Sequence, residues 1–139
     1  MSSFGAIPID FKAAHIDYLV SSANKCLEGV PGFGYAICNT AKLMACKGQA
    51  RSVSLDLVEQ ARGLDESGQF RFTPATHAML AFRQAIREYE DEGGLTGRSA
   101  RYAENKRILR EGMQEMGFRE LLGEELSKEN YIITSCVHC

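Results

Sequence analysis

Neither sign of charge dominates this sequence, and no long apolar run occurs in it. Its 16 lysines and arginines face 18 aspartates and glutamates, a net charge of -2. So even a balance gives no electrostatic footprint for nucleic acid or an anionic membrane surface. No stretch approaches the roughly 18 apolar residues of a helical membrane span. The start shows neither the basic nor the apolar region of an export signal, so a soluble, cytoplasmic protein is expected. Repeats and low-complexity segments are missing too. Cysteine is present, but Cys26, Cys38 and Cys46 follow no repeated spacing, and without export free thiols are expected rather than disulfides. The tail places Cys136, His138 and Cys139 close together. A structural zinc site needs a fourth ligand, and with no second cluster to supply it no metal is expected.

What is present is enough for one modest core: 139 residues, 45% of them hydrophobic, with a single domain as the length prior. The chain is organised around residues 18–34. A short apolar run at 18–20 gives way to Ser21, Ser22, Ala23 and Asn24, then to one lysine, Lys25, then to Gly29, Pro31, Gly32 and Gly34. A second apolar run at 35–38 follows at once, so the spacing pins the Lys25 loop between two strands of one sheet. Most lysines are solvated charges. Here the small neighbours let a bulky ligand approach the backbone and offer it hydroxyl and amide groups. A lysine partly desolvated in such a place becomes a better nucleophile, because burial disfavours the ammonium.

The remaining segments alternate. Residues 7–11 carry Pro8 and fit an edge or loop. Asn39 and Thr40 are candidate caps for a helix through Leu43, Met44 and Cys46 that ends near Gly48. A further helix is expected at 54–61, with Leu55, Leu57, Val58 and Ala61 on one side, then a polar turn at 65–69. Pro74 biases Thr73 to an extended conformation and leaves its hydroxyl at the mouth of a helix. Thr76 is the expected cap of that helix, in which Met79, Phe82, Ile86 and Tyr89 recur until Gly93 and Gly94. A long helix is expected at 96–116, with Tyr102, Leu109, Met113 and Met116 on one face and Gly117 as its stop. Arg98, Arg101, Lys106, Arg107 and Arg110 alternate there with Glu104, Glu111 and Glu115, which reads as a solvated, internally paired face. A last strand is expected at 131–134. His15, His77 and His138 carry no pattern.

The run SSANKCLEGVPGFG at 21–34 closely resembles the lysine motif of the class V pyridoxal-phosphate-dependent aminotransferases, and within them the branch acting on 2-aminoethylphosphonate and pyruvate. MSSFGAIPID at 1–10, KGQARSVSLDL at 47–57 and RFTPATH at 71–77 extend the resemblance over nearly the whole chain. It implies an α/β fold, part of a fold-type I aminotransferase, whose large domain is a mostly parallel sheet with flanking helices. Residues 1–94 would be the second half of the large, cofactor-binding domain, and 95–139 the connecting helix and the start of the C-terminal small domain. The implied activity moves the amino group of 2-aminoethylphosphonate to pyruvate, giving phosphonoacetaldehyde and L-alanine in phosphonate catabolism. Lys25 would bind pyridoxal 5'-phosphate covalently and act as base and then acid. Ser22 and Asn24 would lie near its phosphate or imine, and Thr73 would reach the cofactor phosphate of a neighbouring subunit, which implies a homodimer. The family's aspartate partner of the pyridine nitrogen would lie just upstream of Met1, and its substrate-binding arginine downstream, in a protein more than twice as long. Three other readings stay open: a catalytically incomplete fragment, another class V aminotransferase of the alanine–glyoxylate or serine–pyruvate type, and an interaction module that docks through the helix at 96–116.

Overall fold

In the computed structural model, which describes residues 1–122 and 135–136, the lysine loop lies between two strands, β1 (Tyr18–Ser22) and β2 (Gly34–Cys38). Leu19 and Ser21 of β1 point inward and are buried, while Tyr18 and Val20 face out, the period-two pattern of a half-buried strand. The strands pair antiparallel, from Tyr18 opposite Cys38 to Ser22 opposite Gly34. The mostly parallel sheet is expected of the large domain as a whole; in this one described pair the connection sets the direction. Residues 23–33 contain no helix, whereas parallel neighbours need a crossover, usually helical. The other described ladder, β3 (Arg119–Glu120) with β4 (Ser135–Cys136), is antiparallel as well. The strand expected at 131–134 lies outside the described residues.

Four helices follow β2. α1 (Thr40–Ala45) starts at Asn39, whose side chain accepts from the Lys42 N–H at 3.2 Å, as expected of this cap. α2 (Leu57–Ser67) begins later and runs further than expected. Its cap is Asp56, which accepts from the Glu59 N–H at 3.1 Å. Residues 65–67, expected as a turn, form its last polar turn, and the helix stops at Gly68 in the left-handed conformation, φ 68°. α3 (Thr76–Asp91) takes Thr76 as its first residue rather than its cap; Ala75 holds the cap position without a side-chain bond. Gly93, at φ 101°, breaks the path between α3 and α4 (Gly94–Glu115), and α4 ends at Met116 before Gly117.

The apolar interior is built from small and medium residues: Ala6, Leu19, Ala23, Leu27, Val58, Ala78 and Ala85. Burying Leu19 and Leu27 contributes about 1.5–3 kcal/mol each, and the two flank the lysine loop from either side. Beside them Phe82 of α3 meets Phe33 edge-on, with centroids 5.3 Å apart, and Tyr35 at 5.7 Å. The largest fully buried side chain is Arg98 of α4. This corrects the expectation of a wholly solvated basic face on that helix, because Arg98 turns inward to carboxylates that α4 does not itself carry. Leu109 and Met116, grouped above on one face of α4, are exposed.

Candidate active site

Lys25 sits in the turn that follows β1, and both ends of that turn are tied down. The Ala23 N–H donates to the Phe33 carbonyl at 3.2 Å, and the Gly29 N–H donates to the Ala23 carbonyl at 2.8 Å. Within the turn the Lys25 N–H donates to Ser22 O at 3.3 Å and the Glu28 N–H to Lys25 O at 2.8 Å. Glycine is required at position 29, since a Cβ there would lie 2.9 Å from the Ala23 oxygen and 2.8 Å from the Phe82 ring. Ala23 and Leu27 are buried on either side, yet Asn24 and Lys25 are exposed. The partial desolvation expected of Lys25 is therefore not found, because the anchors pack beside the lysine and not over it. Ser22 Oγ donates to Asn24 Oδ1 at 2.9 Å, so these two side chains are brought together next to Lys25. Cys26, Cys38 and Cys46 are free thiols.

Behind the loop stands a cluster that the sequence reading missed. Arg98 donates through Nη1 to the Cys26 carbonyl and through Nε to Glu92 at 2.7 Å, with Glu28 at 3.4 Å from Nη1. Arg101 joins the same two carboxylates, at 2.7 Å to Glu92 and 2.8 Å to Glu28, and the Tyr102 hydroxyl donates to Glu28 at 2.7 Å. Burial pushes the Glu28 carboxyl up, but hydrogen bonds from Arg101 and Tyr102 outweigh it and hold it below its ordinary value. Arg101, helped by Arg98, holds the Glu92 carboxyl at about 2 against an ordinary 4.5. A depressed carboxylate stabilises the fold above its unfolded value and loses that effect as pH falls. The contribution of Glu92 is thus expected to be complete above pH 4.5 and to vanish as pH approaches about 2. A carboxyl NMR titration checks the midpoint, and Glu92→Gln should flatten this part of the acid limb of stability. A Glu92 midpoint near the ordinary value would contradict the geometry.

A comparison with family profiles decides what this loop belongs to: the profile described as "Aminotransferase class-V" matches residues 1–138. The chain belongs to the class V aminotransferases. It is similar to curated relatives called 2-aminoethylphosphonate--pyruvate transaminase from Salmonella schwarzengrund (strain CVM19633) and Salmonella paratyphi C (strain RKS4594), each 54% identical over 127 residues. That alignment covers 91% of this chain but 35% of each relative, so the chain spans about a third of their length. As a class V aminotransferase segment it forms a small α/β piece that presents an exposed amine, a hydroxyl and an amide from Lys25, Ser22 and Asn24. Those groups suit an aldehyde cofactor carrying a phosphate: the amine can condense with the aldehyde, and Asn24 keeps its amide donors for the anion. Thr73 is exposed in the irregular stretch ahead of α3 and is not part of that group. No group of side chains able to hold a metal ion occurs among the described residues; of the cysteine tail, only the backbone of Cys136 is described. No described helix is long and apolar enough to cross a membrane.

Proposed function

We propose that this class V segment carries the catalytic lysine of a cytoplasmic, pyridoxal-phosphate-dependent aminotransferase that moves the amino group of 2-aminoethylphosphonate to pyruvate, giving phosphonoacetaldehyde and L-alanine. The observation that carries the reading is the exposed Lys25 on a loop tied at both ends between β1 and β2; the names of the relatives supply the substrates. Pyridoxal 5'-phosphate, when bound, supplies an aldehyde and an electron-withdrawing ring. The Lys25 amine would hold the cofactor, and its Nζ, when free, would take the proton from the substrate carbon and deliver it again later in the transfer. Ser22 and Asn24 orient the group beside that amine. Thr73 serves the phosphate in the partner's site, so the active form is a homodimer. Residues 1–94 lie in the large domain of the whole protein, with its mostly parallel sheet, and 95–139 lead by way of α4 into the small domain.

The test is a chimaera in which this chain replaces the matching segment of a Salmonella relative. Alanine formation from pyruvate is expected with 2-aminoethylphosphonate as donor. Turnover with serine or with alanine and glyoxylate, and none with the phosphonate, would instead place the chain with the alanine–glyoxylate or serine–pyruvate type. Mixing Lys25→Ala with Thr73→Ala protomers is expected to recover part of the activity, since one site of each mixed dimer carries neither change. Stable mixed dimers without recovery would rule out the shared site.

A further inference from the structure

Arg98, Glu28, Glu92, Arg101 and Tyr102 form the densest polar cluster described, and the chemistry assigned to Lys25 does not use them. Two of the groups they hold, the Cys26 carbonyl and the Glu28 carboxylate, lie one and three residues beyond Lys25. We propose that Arg98 and Glu28 are positioning residues for Lys25: the buried guanidinium, bonded to the Cys26 carbonyl and paired with Glu28, fixes the turn from which the lysine projects. This rests on the reading of Lys25 as the cofactor lysine.

The backbone supplies the reason for a clamp. Glu28 has φ 55°, the left-handed region that side chains other than glycine seldom adopt. Such a residue persists only where its surroundings over-determine it, and Glu28 is met by Arg101 at 2.8 Å, Tyr102 at 2.7 Å and Arg98 at 3.4 Å. The hydrogen bond that closes the turn, from the Gly29 N–H to Ala23 O, comes directly after it. Only a planar fork can serve the Cys26 carbonyl and Glu92 from one side chain in these directions; a lysine ammonium at the same place is a point charge without that geometry. Tyr89 closes the site from α3, its ring centroid 5.2 Å from the Arg98 guanidinium carbon. The pairing of Arg107 with Glu104 and Glu111 further along α4 is different. Those groups are about half exposed and lie within one helix, so they contribute little and make a fair control.

A purely structural role would hold α4 to α3 through Glu92 and leave the lysine turn indifferent. Amide hydrogen exchange of the 139-residue chain, without cofactor, separates the two. The probes are the bonded amides of Lys25, Glu28 and Gly29 in the turn, against Glu92 and Gly97 at the helix junction. Arg98→Lys and Glu28→Gln are compared with Arg107→Gln. Loss of a charge-assisted bond is expected to speed exchange in the turn about tenfold or more, with less than about threefold change at the junction in Glu28→Gln and none in Arg107→Gln. If Arg98→Lys does not fold, Glu28→Gln decides, since Glu28 lies on the loop side of the cluster. Turn amides within twofold of the parent in Glu28→Gln, or equal acceleration at both places, would overturn the proposal. In a second arm pyridoxal phosphate is added, trapped with borohydride and mapped by peptide. The yield of adduct at Lys25 is expected to fall in Glu28→Gln while the yields at Lys42 and Lys47 stay constant. An unchanged yield at Lys25 would equally overturn it. Absence of a Lys25 adduct in the parent would sink the aminotransferase reading, and the exchange arm would still decide whether the clamp holds the turn.

Discussion

Lys25→Ala is expected to remove the borohydride-trapped pyridoxyl adduct from the peptide carrying residue 25, with no gain at Lys42 or Lys47, and to lower alanine formation in the chimaera by about 10²–10⁴-fold or more, the range typical of losing a positioned acid–base group. The expectation rests on chemistry that no neighbour can replace. Ser22 and Asn24 offer oxygens and an amide, and neither condenses with an aldehyde. Lys42 lies across the first helix turn after β2 with its amine 4.0 Å from Asp17, and Lys47 follows α1. Lys25→Arg keeps the positive charge but never presents a free amine, since the guanidinium does not deprotonate in proteins. It should therefore fail as completely as alanine, which separates nucleophilic chemistry from simple attraction of an anionic substrate. An adduct mapped in the parent to Lys42 or Lys47 instead of Lys25 would displace Lys25 from its role.

Gly97→Ala should be the most destabilising conservative change in α4. A Cβ at this position would clash with the Glu92 carbonyl oxygen and lie 2.8 Å from its carbonyl carbon, and both are backbone atoms that cannot rotate away. To make room the α3–α4 turn must open, which moves Glu92 off Arg98 and Arg101. Overpacking of this kind costs about 1–3 kcal/mol and occasionally more, while alanine in place of a helical glycine returns at most about 1 kcal/mol. With a backbone clash so short the upper end applies, and a net loss of about 2 kcal/mol is expected. Gly112→Ala in the same helix meets nothing within 4 Å and should stabilise by about 0.5–1 kcal/mol. Thermal denaturation of the two variants should therefore show shifts of opposite sign, and equal shifts would disprove the close approach at Gly97.

The elements around Lys25 were legible because local signals agreed there. The apolar run at 18–20, the glycines that follow Lys25, the Asn39 cap and the breaks at Gly93 and Gly117 all act within a few residues. The extent of α2 was not legible: Asp65, Glu66 and Ser67 look like a turn, yet an exposed last helical turn has the same composition, and Gly68 was the true stop. The antiparallel direction of β1 and β2 was not read from the sequence, although the short, helix-free connection between them favours a hairpin. Arg98 was missed for a more basic reason. Read alone, α4 interleaves its arginines with Glu104, Glu111 and Glu115, but the partners of Arg98, Glu28 and Glu92, lie outside that helix. One signal was available: Arg98 lies three residues after Leu95 and four before Tyr102, on an inward stripe where an apolar residue was due.

The bond between Arg98 and the Cys26 carbonyl spans 72 positions of sequence, which has a consequence for how the protein is made. Contacts so distant must meet the entropy of closing a long loop before they form. During synthesis at about 5–20 residues per second, Arg98 is added roughly 4–14 s after Cys26. Through that interval the nascent lysine turn has its hairpin neighbours but no fastening from α4. The fastening from α4 comes only after that helix begins to emerge, so the turn that carries Lys25 is completed late in the birth of this segment.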